Sequence, residues 1–153
     1  MAIAAYPDDI ESWCAEALVQ AIDQGATVRL LLVTSGEHGS SDQRRHAHEV
    51  AIEREDEARK VLAVLTIAEV VFLHYPDGDV EDTHALRADL VKWIRRWQPS
   101  IVFTHDQQAA RLAHKSQTPD AAVLSTGWRE HSTSIGKGAN LALAETFILL
   151  ELD

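Results

Sequence analysis

The run Ala5-Tyr6-Pro7-Asp8-Asp9 sets two adjacent carboxylates between a short apolar stretch, Ile3-Ala4-Ala5, and a helix-like stretch from Ile10 to Gln24. Paired acids at a strand-to-helix junction are costly, because each disfavours ionisation of the other. A metal ion or a proton-transfer task would account for them. The partners of a tetrahedral zinc site are sparse, however. Position 6 is Tyr where such a site would want His, and no His-x-x-His or Cys-x-x-Cys pair occurs. Further polar groups that could line the same crevice are Glu37 and His38, Asp77 and His105. His114 stands later in the chain.

The elements that must position these groups alternate between strand and helix. Ala2–Ala5 reads as a first strand. Ile10–Gln24 carries Ile10, Trp13, Cys14, Ala17, Leu18 and Ala21 at helical spacing, and Gly25 ends it. Val28–Val33 is a near-continuous apolar strand, followed by the Gly- and Ser-containing loop Thr34–Ser41. Asp42–Leu65 is expected to form a long charged helix with Val50, Ala51, Ala58, Val61 and Leu62 inward. Val70–Leu73 is a third strand, and His74–Asp82 contains the turn signal Pro76-Asp77-Gly78. Thr83–Trp97 is a third helix with Leu86, Leu90, Val91, Trp93 and Ile94 on its buried side, stopped by Pro99. Ile101–Phe103 is a fourth strand, giving way to Thr104-His105-Asp106. Ala109–Gln117 reads as a short helix, and Phe147–Leu152 is strongly apolar.

Repeated strand–helix units with apolar strands predict an α/β fold. Its sheet is doubly wound and mostly parallel, with helices on both faces in three layers. Ligands of such sheets bind beyond the carboxyl ends of the strands. The loops Tyr6–Asp9, Thr34–Ser41, His74–Asp82 and Thr104–Gln108 all leave those ends.

The 153 residues suggest a single domain spanning 1–153, with its best-patterned part over 1–106 and a weaker pattern over 107–153. A net charge of −10 argues against nucleic acid, which needs a basic stripe. Lys92, Arg95 and Arg96 form the densest basic cluster, and Asp82 and Asp89 offset it. The single cysteine, Cys14, excludes an intrachain disulfide and fits a small core residue. No apolar run is long enough to span a membrane, and no leader pattern is visible, so a cytoplasmic protein is expected.

Several of these motifs, in this order, resemble the LmbE-like, or PIG-L, zinc-dependent de-N-acetylases. They are Ala5-Tyr6-Pro7-Asp8-Asp9, Leu32-Val33-Thr34-Ser35-Gly36-Glu37, Arg54-x-x-Glu57-Ala58-Arg59, Phe72-Leu73-x-Tyr75-Pro76-Asp77-Gly78 and Val102-Phe103-Thr104-His105-Asp106. The family's first motif has His where this chain has Tyr6. After Asp106 the chain passes almost at once to Leu112-Ala113-His114-Lys115-Ser116-Gln117, which resembles a motif that family members carry much later. The resemblance thus implies a shortened LmbE-like, Rossmann-like fold from which a middle-to-late segment is missing.

The resemblance also implies chemistry. It makes Asp8 the general base and Asp9 a zinc ligand, with Arg54 near the active site. Tyr6 stands at a ligand position, and a third ligand has no match. His105, with His38 or His114, would be a substitute ligand set around Asp9. Glu37, His38, Asp77 and His114 are candidates for substrate contact. The implied cofactor is Zn2+. The implied partner is an N-acetylated sugar of the N-acetylglucosamine type. Two other readings stand beside this one: a non-catalytic remnant, either a binding or structural module or a truncated gene product, and a phosphorylated receiver with Asp77 as its acceptor, for which no strand-ending Lys is present. Loss of central strands would leave a sheet edge that invites self-association, unless the apolar segment Phe147–Leu152 covers it.

Overall fold

The computed structural model describes residues 1–10, 14–42, 44–105 and the strand at 147–151. By packing, the chain divides into two units, Met1–Phe103 with Leu149–Asp153, and Thr104–Ile148. The expected helix at Ala109–Gln117, which carries His114, lies outside the described residues.

The described elements run β1 (Ala2–Ala4), α1 (Ala15–Asp23), β2 (Arg29–Leu32), α2 (Ala47–Val64), β3 (Glu69–Phe72), α3 (His84–Trp97), β4 (Ile101–His105) and β5 (Phe147–Glu151). The strand order is β3-β2-β1-β4-β5. β1 pairs parallel with β2, Ala2 facing Leu30 and Ala4 facing Leu32. β2 pairs parallel with β3, from Arg29 opposite Glu69 to Leu32 opposite Phe72. On the other flank Met1 bridges β4: its amino nitrogen donates to the Ile101 carbonyl at 2.7 Å, and its own carbonyl accepts from the Phe103 N–H at 2.9 Å. This is the parallel α/β architecture that the alternating pattern predicts.

β2 shows why the pattern was readable. A parallel strand covered on both faces needs apolar side chains at successive positions. Leu30, Leu31 and Leu32 are all fully buried, and Val28 and Val33 are buried at either end. Ala2 and Ala4 of β1 complete the centre of the sheet, and Ile10, Cys14 and Leu18 are buried as well. From α2 come Val50, Ala58 and Leu62, one or two turns apart on one face.

Several boundaries differ from expectation. α2 starts at Ala47 and not at Asp42, because the Asp42 carboxylate accepts the backbone N–H of Arg44 and closes a local turn. β4 extends to His105, so Thr104 and His105 belong to a strand and not to the following loop. α3 begins under a Thr83 cap whose hydroxyl accepts from the Leu86 N–H at 3.2 Å. It ends where Gln98 turns left-handed, at φ 44°, ahead of Pro99. Val91, expected on its buried side, is 42% exposed. No α3 residue is fully buried, because Leu86, Leu90, Trp93 and Ile94 are covered only in part. Among the described residues no helix is long and apolar enough to cross a membrane.

A candidate functional site at the carboxyl edge of the sheet

Three loops leave the carboxyl ends of β1, β2 and β3, and their own polar groups tie them together. The first is closed locally. The Asp9 carboxylate accepts the Tyr6 N–H at 2.8 Å, and the Asp9 N–H donates back to the Tyr6 carbonyl at 3.3 Å. An acid reaching back three residues to satisfy an otherwise orphaned amide is half of a capping box. Asp9 is buried, 9% exposed, while Asp8 beside it is exposed. Two adjacent acids thus have different surroundings, one built into the turn and one open to solvent.

Thr34 joins the first loop to the second. Its N–H and its hydroxyl both donate to the Ala5 carbonyl, at 3.0 and 2.9 Å. Gly36 has φ +69°, and a Cβ there would come within 3.2 Å of the Pro7 ring. The close approach of the two loops therefore requires glycine at this position.

Asp77 joins the second loop to the third. Its N–H donates to Glu37 Oε1 at 2.9 Å, and its carboxylate accepts the His38 N–H at 2.9 Å. His38 Nδ1 lies 2.7 Å from the Asp77 carbonyl oxygen, which can only accept, so Nδ1 carries the proton. Asp77 is buried at 7% exposure, deeper than a turn residue needs to be. The expected candidates Glu37, His38 and Asp77 are brought together here, and they hold one another.

Tyr6 stands half-buried among these groups. Burial first, and then the charges of Asp77, Asp9 and Asp8, raises its phenol above the ordinary value, so the hydroxyl stays protonated. Arg54, on α2, donates to the Gly39 carbonyl at 3.1 Å and to Glu57 at 3.2 Å. It braces the tip of the second loop. His105 ends β4 and belongs to the second unit.

Sequence reasoning missed a fourth tie. The buried Ser35 hydroxyl donates to Glu55 Oε1 at 2.6 Å, and His74 Nδ1 lies 3.1 Å from the same hydroxyl and 3.2 Å from Glu55. Since the one hydroxyl proton goes to Glu55, the serine oxygen can only accept from His74. Arg59 pairs with the other Glu55 oxygen at 2.7 Å. Burial alone would raise the Glu55 carboxyl. The hydrogen bonds from Ser35 and Arg59 outweigh it and hold the group below its ordinary range. His74 itself is 65% exposed and adopts a left-handed backbone at φ 58°. No spacing rule would have linked positions 35, 55 and 74.

The fit of these loops to zinc follows from their donors. Tyr6 offers a neutral phenol where zinc prefers imidazole or thiolate. Among the described residues no three His, Cys, Asp or Glu side chains gather into a group able to hold a metal ion. The described residues do not fit the metal that the resemblance implies.

The profile of a family described as PIG-L, GlcNAc-PI de-N-acetylase, matches residues 1–124. Over 106 residues the chain is 28% identical to a diacetylchitobiose deacetylase of Thermococcus kodakarensis, covering 69% of this chain and 40% of that protein. It is 29% identical over 128 residues to a mycothiol S-conjugate amidase of Streptomyces coelicolor, covering 70% of this chain and 44% of that one. The chain therefore spans less than half the length of these curated relatives. The structure is similar to that of N,N'-diacetylchitobiose deacetylase from Pyrococcus horikoshii, with a TM-score of 0.75 at 17% identity, over 98% of this chain and 82% of that chain. That likeness bears on the fold.

Proposed function

The chain belongs to the PIG-L family, and from that premise we propose that it acts on N-acetylated amino-sugar derivatives, releasing acetate from the amide. The observation that carries this reading is the set of hydrogen-bonded loops at the carboxyl ends of β1, β2 and β3, with Asp8 open to solvent beside the buried Asp9. The curated relatives are named a diacetylchitobiose deacetylase and a mycothiol S-conjugate amidase, which supports this reading.

In this reaction water adds to the acetyl carbon, the carbon–nitrogen bond breaks, and the amine leaves with a proton. Asp8 is the group free to take the proton of that water and deliver it to the amine. Tyr6, kept as a neutral phenol, supplies a donor for the oxygen that gathers charge. Asp9 holds the turn on which both stand. The incomplete donor set gives no basis for routing a step through zinc.

The substitution at position 6 favours a second reading, in which the crevice binds the same ligands without turning them over. Acetate release from N,N'-diacetylchitobiose, followed together with binding by calorimetry, separates the two. Binding with acetate release supports the first reading, and binding alone supports the second. Absence of both across N-acetylated amino sugars removes the substrate class.

A further inference from the structure

We infer that His74, latched onto Ser35 and Glu55, is a positioning residue that holds the third loop in place before a ligand arrives. The inference rests on the substrate class above only for the choice of ligand. Its first ground is where the pairing of β2 with β3 changes register. The Leu73 N–H donates to the Leu32 carbonyl at 2.8 Å, and the Tyr75 N–H donates to the Val33 carbonyl at 2.9 Å. Between these bonds the β3 side advances two residues and the β2 side one, so His74 is the extra residue of a bulge. Its backbone is left-handed, at φ 58°. A residue with a Cβ keeps that conformation only where its surroundings hold it there.

What holds it is the side chain. A bulge re-aims the residue it carries, and here it turns a largely exposed imidazole onto an acid of α2. His74 Nδ1 lies 3.1 Å from the hydroxyl of buried Ser35 and 3.2 Å from Glu55, which Arg59 also grips. The next residue fastens to the other helix, the Tyr75 hydroxyl donating to Asp89 of α3 at 2.9 Å. Two consecutive residues therefore tie the start of the third loop to two different helices. Asp77, which carries the ties to Glu37 and His38, follows after Pro76 alone. The Pro76 ring fixes its own φ, so the short span between latch and Asp77 has little slack to absorb a displacement. The place of Asp77 is thus set from α2 as well as from the second loop.

The test compares the full chain with two variants. His74→Gly accepts the left-handed backbone and removes the imidazole. His74→Asn tolerates the same backbone and keeps an N–H donor on the same branch of the side chain. Amide hydrogen exchange is followed by NMR at His38 and Asp77, with Val33, whose N–H donates to the Ala4 carbonyl, as the control. In His74→Gly the His38 and Asp77 amides are expected to exchange about tenfold faster, as loss of one hydrogen bond to a charged group would allow. Val33 exchange and the melting temperature should not change. His74→Asn should restore most of the protection. N,N'-diacetylchitobiose, titrated calorimetrically, should bind His74→Gly about tenfold more weakly than the parent. Parental exchange at His38 and Asp77 in His74→Gly overturns the inference, as does a His74→Asn variant as loose as His74→Gly. The expected exchange pattern in a chain that binds no N-acetylated sugar removes the substrate class and leaves the latch standing.

Discussion

The Asp9 carboxylate lies 2.8 Å from the backbone nitrogen of Tyr6, and this bond, with the one from the Asp9 N–H back to the Tyr6 carbonyl, closes the turn that carries Asp8. The residue that family resemblance makes a metal ligand is here a cap. Asp9→Ala leaves the Tyr6 N–H without its acceptor and is expected to cost about 1–2 kcal/mol of folding stability. Urea unfolding measures it, and a midpoint equal to that of the parent would show that the cap contributes nothing.

Glu55 predicts an acid-side loss of stability. Its folded pKa lies below the ordinary 4.5, held there by Ser35 and Arg59 against the opposing effect of burial. A depressed carboxyl contributes stability that is fully present above the unfolded value and lost as the pH falls through the folded one. Unfolding free energy measured downward from pH 6 should therefore drop below about pH 4.5, and less steeply in Glu55→Gln. Parallel curves for the two proteins would refute the assignment.

Gly36→Ala meets two penalties at once, a left-handed backbone and the Pro7 ring 3.2 Å from the new Cβ. A loss of about 2 kcal/mol is expected, the left-handed term alone being about 1–2 kcal/mol. Gly25 is the control. Its φ is +88° but nothing lies within 4 Å, so Gly25→Ala should lose only the backbone part. Equal melting temperatures for the two variants would remove the steric argument.

If acetate is released, Asp8→Asn should lower the turnover rate about 100-fold or more, the usual span for a positioned base. Because Asp8 is exposed, its melting temperature should not move. Retention of parental turnover in Asp8→Asn would reassign the base.

Much of the fold was legible because parallel strands write themselves plainly. β2 is apolar at consecutive positions for the reason that both of its faces are covered. The turn at Pro76-Asp77-Gly78 announced itself by residue type, with Gly78 at φ +85°. The start of α2 was misplaced because Asp42 is as good a turn former as it is a helix cap, and composition does not separate the two roles. Val91 was misplaced because helical spacing marks an apolar stripe and cannot say how deeply a neighbour covers it. In the crevice, Asp8, Asp9 and Tyr6 stood out by type and order. The engagement of Asp77 with Glu37 and His38, and of Ser35 with Glu55 and His74, came only from the third dimension. Such contacts join positions 20 to 40 apart in sequence, beyond any local rule.

The place of β1 in the strand order bears on how the chain assembles. The strand has only three residues, yet it lies between β2 and β4. Its partner on one side is made soon after it, whereas the bond from Met1 to Ile101 spans a sequence separation of 100. During synthesis the segment through β3 can therefore pair on one flank while the other flank of β1 stays open. That flank closes only after residue 103 has left the ribosome. Long-range closure of this kind is slow, so the emerging chain passes through an interval in which its central strand is its edge.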